Sequence, residues 1–220
     1  MKAIGNIYLT WRKGKGHSRI PVGVIKRNVT NGVRFQYIEK GLKKAYKDGF
    51  VNFTDFPDTS INKVYTENVL EILGKRLTNP DRADIQKYYD FWEIKPEHKD
   101  EKYYLLAHTQ GLLATDNFEF LADYSPIQGL SFISEICGLS YTKPANDLLI
   151  EGEELSWKYN KLNLFDNKAV EVYKGGFRIG NVKLIHCNIF HKPGGDKLKI
   201  KVKSIEKNGF LNRVFIIISF

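Results

Sequence analysis

The chain has 220 residues, 42% of them hydrophobic and 13% aromatic, with a formal net charge of +9. That is enough chain and enough apolar side chain for one or two packed domains. No run of 18 apolar residues occurs, which excludes a membrane-spanning helix, and MKAIGNIYLTWRKGKG at the start lacks the apolar core and cleavage site of a secretory signal. Cys137 and Cys187 are the only cysteines, and neither belongs to a CxxC pair. Two buried thiols in a reducing, cytoplasmic setting are expected, without a disulfide framework.

Charge is segregated along the chain. Residues 1–47 hold twelve lysines and arginines against Glu39 alone, and residues 174–220 hold ten against Asp196 and Glu206. The overall +9 therefore conceals an acidic middle. Two basic ends of this kind attract polyanions, and a phosphate backbone is the commonest one.

In chain order, IGNIYLTW at 4–11 alternates and is rich in β-formers, so a strand is expected. RKGKGHSR at 12–19 is a basic, glycine-rich loop. Its Arg12, Lys13, Lys15 and Arg19, next to Trp11, have the mix of a nucleic-acid finger. The loop is not a phosphate-binding GxxxxGK[ST] motif, because GKGHS lacks the spacing. PVGVIKR at 21–27 and GVRFQYI at 32–38 read as two more strands around the Asn31-Gly32 turn.

Residues 50–60 read as a loop. Val69, Leu70, Leu73 and Leu77 recur at helical spacing over 65–77, with Thr66 as N-cap. Asn79-Pro80 ends that helix and Pro80 opens a second, DRADIQKYYDFWEI, with an aromatic face of Tyr88, Phe91 and Trp92. YYLLAH at 103–108 and FEFLAD at 118–123 read as strands. VGVI at 22–25, VRFQY at 33–37, and Arg76-Leu77 followed by Asp81-Arg82 resemble the N-terminal subdomain of HipA-type kinases. That resemblance implies a small β-sheet or barrel capped by helices over residues 1–127, without a kinase active site.

A second domain, 128–220, is expected after Ser125-Pro126. Strands are predicted at 132–141, 148–157, 168–173 and 177–182, with a hairpin turn at Lys174-Gly175-Gly176 and a short helix at 184–191. KLKIKVKSI at 197–205 has a two-residue period: Lys197, Lys199, Lys201 and Lys203 face one way, and Leu198, Ile200, Val202 and Ile205 mostly the other. RVFIIISF closes the chain as a buried strand. The lysine ladder serves either as a solvated strand face or as a stripe that tracks phosphates. The fold class is α+β throughout.

Three motifs follow one another here: GLSY at 138–141, NLFDNKAVEV at 163–172 and IGNVK at 179–183. In this order they resemble a HIRAN domain, over roughly residues 130–220. The resemblance implies a small β-barrel that holds the end of a single DNA strand. Tyr141 and Phe165 would stack on bases, Asp166 would accept a hydrogen bond from the terminal sugar hydroxyl, Lys183 would meet a phosphate, and Asn163 would place the loop. The physics suits the task. Stacking contributes about 1–3 kcal/mol per base whatever the base, and a carboxylate accepts from a hydroxyl but repels a phosphorylated end. Ser140 stands where the family tends to carry Arg, and Phe165 where it tends to carry Tyr.

Other chemistries are weaker. Pro80-Asp81 before Glu93-Ile94-Lys95 matches a PD…ExK nuclease pattern, but the intervening residues read as helix, whereas Mg²⁺ needs carboxylates converging from adjacent strands. His186, Cys187 and His191 lack a fourth zinc ligand. No cofactor and no metal is expected. The sequence therefore points to a non-catalytic DNA-binding accessory that acts in trans with a nuclease or helicase, in repair or mobile-element defence. A homodimer would double its basic surface. The alternative is an antitoxin-like or regulatory protein-interaction module.

Overall fold

The structure is a computed structural model that describes residues 3–161 and 166–220. It is a mixed α+β protein with two sheets, one of them a closed six-stranded barrel. The chain divides into two compact units, Ile4–Asp123 and Tyr124–Phe220, and Ala3 belongs to the second.

The N-terminal unit runs β1 (Ile4–Trp11), β2 (Ile20–Asn28), β3 (Gly32–Tyr37), α1 (Glu39–Lys47), β4 (Val64–Tyr65), α2 (Val69–Gly74), α3 (Ile85–Phe91), α4 (Lys102–Thr109) and β5 (Phe118–Tyr124). Its sheet has the order β4-β3-β2-β1-β5. The β2–β3 hairpin pairs Lys26 with Arg34 and Asn28 with Gly32, as the Asn-Gly turn predicts.

Four readings of this half differ from the structure. YYLLAH is not a strand but lies in α4, where Tyr103 to Thr109 are all buried. A short run apolar on every side carries no periodicity that separates a buried helix from a buried strand. Helix α1 is absent from the sequence reading, and it carries a glycine, Gly41, in its first turn. A Cβ at Gly41 would lie 1.8 Å from the Pro21 carbonyl oxygen, so only glycine lets this helix lie against β2. Helix α2 is shorter than its apolar spacing suggests. Its N-cap is Asn68, in the left-handed region at φ 51°, rather than Thr66, and beyond Gly74 the chain continues in i→i−3 turns to Leu77. Helix α3 starts five residues after Pro80, because Asn79 Oδ1 accepts from the Asp81 N–H in a local turn. Its buried residue is Tyr89, followed by Trp92, rather than Tyr88 and Phe91.

The core of this unit is aromatic. Phe35 stacks on Phe56 at 4.5 Å, and Phe53 meets Phe118 edge-on at 5.0 Å. Arg76 lies over the Phe53 and Phe120 rings. It donates to the Gly111 carbonyl at 3.0 Å and to both oxygens of Asp116 at 2.6 and 3.0 Å. Tyr37 ties the 50–60 loop to the sheet: its hydroxyl donates to the Phe56 carbonyl at 2.6 Å and accepts from the Phe53 N–H at 2.9 Å. Burial pushes its pKa up to about 12, against the opposing pull of the Phe53 amide.

The C-terminal unit runs β6 (Ser131–Cys137), α5 (Leu139–Thr142), β7 (Glu154–Tyr159), β8 (Val170–Lys174), β9 (Phe177–Val182), β10 (Lys199–Lys207) and β11 (Leu211–Ser219), with 3-10 turns at His186–His191 and Gly195–Lys197. The barrel order is β10-β11-β6-β9-β8-β7, closed by β7 on β10. The predicted strand at 148–157 is found at Glu154–Tyr159, because residues 148–153 form turns anchored to β10: the Gly152 and Val202 amides donate to the Val202 and Glu153 carbonyls.

Two stability outcomes follow. Tyr37→Phe leaves a buried carbonyl and amide unsatisfied, so chemical denaturation should show a loss of about 2 kcal/mol. His108 is buried and stacked on Tyr104 at 4.0 Å, and burial, reinforced by His98, lowers its pKa to about 3. A folded-state pKa below the unfolded 6.5 means that the unfolded chain binds the proton first, so stability falls as pH drops from about 6.5 towards 3. The cost reaches at most about 5 kcal/mol. Melting temperatures measured between pH 7 and pH 4 should fall less steeply for His108→Phe than for the parent.

Candidate functional site

Strand alternation sorts the barrel's connections. All neighbouring strands are antiparallel. The β6–β7, β8–β9 and β10–β11 connections therefore share one end of the barrel, and the β7–β8 and β9–β10 connections share the other.

At the first end, β6 stops at Gly138, whose φ of 90° turns the chain into the single helical turn of α5. This turn is fixed to the barrel: Thr142 Oγ1 donates to the Ile179 carbonyl at 2.5 Å, and the Lys143 amide donates to the Leu139 carbonyl at 2.8 Å. The strand beneath must come very close. A Cβ on Gly180 would lie 2.3 Å from the Cys137 carbonyl oxygen, so β9 can seal against β6 only with glycine there. On this fixed turn the Tyr141 ring is 84% exposed.

Two more rings share that end. Phe177 follows the two-glycine hairpin turn between β8 and β9 and is 41% exposed. Phe210 follows Asn208-Gly209 between β10 and β11 and is 63% exposed. The connection after α5 reaches that hairpin, where Asn146 Nδ2 donates to the Gly209 carbonyl at 2.9 Å. Lys143 and Lys207 are exposed beside these turns, with no carboxylate partner among the described residues. The sequence reading missed both phenylalanines and both lysines. The available signal was an aromatic directly after each glycine turn, where a hairpin tip has no core to fill.

The residues singled out from the sequence are dispersed. Asn163 and Phe165, with Leu162 and Leu164, lie outside the described residues. Asp166 is on the β7–β8 connection, at the other end of the barrel. It caps a local turn, where its Oδ1 accepts from the Lys168 amide at 2.9 Å. Asp166 and Cys137 both bear on the buried Cys187, whose thiol is pushed up to about 12 mainly by burial, with the Asp166 charge adding to it.

Lys183 is not a surface phosphate contact. Its side chain is fully buried, with Nζ 3.2 Å from Glu135 Oε2, while Arg213 Nε lies 2.9 Å from Glu135 Oε1. An ammonium in that position balances an internal carboxylate, which is why lysine appears there.

The lysine ladder also changes. Lys197 falls in the 3-10 turn before β10, and Lys199 and Lys201 are exposed on the outer face of that strand. The pairing with β11 shifts register between Val202 and Ser204, so Lys203 is the bulged residue and is half-buried. The same bulge explains why the apolar phase jumps from Val202 to Ile205. Lys201 stands opposite Glu154 of β7. In the six-strand circuit, β10 and β9 are separated by two strands in either direction. The Tyr141 turn leaves β6, with β11 between it and β10, so the lysines of the β10 wall stand one strand away from it.

The basic loop of the N-terminal unit is partly spent on its own fold. Arg19 grips buried Glu119 with two contacts of 2.8 Å, and Arg12 lies 3.8 Å from the same carboxylate. Lys13 and Lys15 remain exposed. Asp81 and Glu93 flank α3 at its two ends rather than converging from adjacent strands. Among the described residues no group of His, Cys, Asp and Glu could hold a metal ion, and no helix is long and apolar enough to cross a membrane.

No protein-family model matches this chain, and no curated protein matches it. Among solved structures it is similar to the HIRAN domain of human HLTF, with 17% identity and a TM-score of 0.32, over 40% of this chain and 74% of that one.

The burial of Lys183 is open to test. Lys183→Met should destabilise the protein by about 3 kcal/mol, less than an unpaired buried carboxylate would cost because Arg213 remains. It should leave the salt dependence of any nucleic-acid binding unchanged, and a shallower salt dependence would restore Lys183 as a phosphate contact.

Proposed function

We propose that the C-terminal unit is a non-catalytic binding module for single-stranded nucleic acid, and that the strand lies across the end of the barrel that carries α5. The observation that carries this reading is the set of three exposed rings, Tyr141, Phe177 and Phe210, on three connections of one rigid barrel end. Apolar rings gathered at one end of a domain are the kind of surface that binds a partner. Unstacked bases can cover them without sequence preference, while Lys143 and Lys207 offset the backbone charge. The exposed Lys197, Lys199 and Lys201 extend the positive surface along the β10 wall, available to a strand that continues around the barrel.

The role is accessory: the module holds DNA for a separate nuclease or helicase, in repair or defence against mobile elements. That step rests on the sequence resemblance set out above.

Fluorescence anisotropy with a labelled dT20 strand tests the reading. Tyr141→Ala and Phe210→Ala should each weaken binding by about 5- to 100-fold, the loss of one stacked base. Lys143→Ala with Lys207→Ala should lower the log–log salt slope by about 1.4, or 0.7 per contact. The proposal fails if the parent protein shows a slope near zero, or if the two ring variants bind as well as it does.

A further inference from the structure

We propose a second binding surface for single-stranded nucleic acid on the N-terminal unit: the sheet face that presents Tyr8, Lys26 and Arg34. It is separate from the barrel end and from the basic loop at 12–19.

The register places these residues side by side. Tyr8 pairs with Val24, and Lys26, two residues further along β2, points to the same face and pairs directly with Arg34 of β3. Lys26 and Arg34 are thus like charges at directly opposed positions of an antiparallel pair, an arrangement that destabilises the hairpin on its own. Two other cations of this unit, Arg19 and Arg76, each take a carboxylate in two contacts. Lys26 and Arg34 have no carboxylate partner among the described residues, and neither does Tyr8 have a hydrogen bond or ring contact there. All three are partly exposed.

The chemistry of the ligand follows from the shape. The face is an open stretch of sheet rather than a cavity, so it suits an extended chain rather than an enclosed small anion. Two adjacent cations take phosphates of a backbone, and a neighbouring phenol ring takes a base by stacking. Gln36 on the same face is committed to the Ile61 carbonyl at 2.8 Å, which marks the limit of the surface towards β4.

Because the like-charge pair costs stability, reversing one charge separates a structural role from a binding role. Lys26→Glu faces Arg34 with an opposite charge, so the melting temperature should stay level or rise while binding falls. The experiment uses the full chain carrying Tyr141→Ala and Phe210→Ala, which disables the barrel end, and reads dT20 anisotropy at several salt concentrations. Binding that remains in this background should drop by about tenfold on adding Lys26→Glu, with the salt slope lowered by at least about 0.7, and should drop again with Tyr8→Ala. An absence of remaining binding, or remaining binding indifferent to Lys26→Glu, overturns this second surface and leaves the barrel reading untouched. Displacement of dT20 by poly-glutamate of equal charge as readily as by unlabelled dT20 also overturns it, in favour of an acidic protein partner.

Discussion

Closure of the barrel at the β6–β9 seam is the constraint on which the C-terminal unit depends. Only Ile136 with Val182 and Cys137 with Asn181 pair across it, against five pairs between β6 and β11. So short a seam must be very close, and Gly180 permits that closeness. Immediately beyond it the chain goes inside, carrying Lys183 to Glu135. The glycine brings the strands together, and the buried ion pair, held from its other side by Arg213, fixes the register there. The Tyr141 turn is mounted on this seam, because its anchor is the carbonyl of Ile179 in the middle of β9. The anchor fixes the backbone from which the Tyr141 side chain projects.

Cationic residues in this protein divide into two populations that composition cannot separate. Arg19, Arg76, Lys183 and Arg178 each face a nearby carboxylate that the fold provides: Glu119, Asp116, Glu135 and Glu171. Lys143, Lys207, Lys199, Lys26 and Arg34 do not. A net charge of +9 counts both groups alike. Only the second group can respond to an external polyanion, since the first is already neutralised at short range. The basic ends therefore overstate the free positive surface, and part of what survives lies at the barrel end, on the β10 wall and on the N-terminal sheet face.

The legibility of the sequence followed the strength of its periodicity. β10 was readable because lysine and aliphatic residues alternate through Lys197–Val202, and even the break at Ile205 recorded the bulge at Lys203. β1, β2 and β3 were readable from alternation and from Asn31-Gly32. α4 was not, because a helix buried all round has no polar side to mark its period. α1 was hidden because Gly41 serves a contact with Pro21 that is distant in sequence. At the candidate site, Tyr141 was visible as part of a motif, but the motif also nominated Lys183, whose neighbour Glu135 is 48 positions away. Side-chain direction at the end of a strand depends on closure, and closure is not written locally.

Two weak surfaces suit the single-strand binding proposed above. Each barrel-end ring or exposed lysine contributes only modestly, and nothing among the described residues forms a deep, enclosed cleft around Tyr141. On that proposal, affinity would come from linking sites. A second contact made by a strand already held at the first is an intramolecular event, with an effective concentration set by the nucleotides between them. Bases stacked at Tyr141 and Phe210, and phosphates met at Lys26 and Arg34, would then reinforce one another. Strand length becomes the variable that reveals this. On this proposal affinity should rise steeply once an oligonucleotide is long enough to engage both surfaces, whereas a single end pocket would saturate at a few nucleotides. That dependence distinguishes a protein built to coat a strand from one built to recognise its terminus.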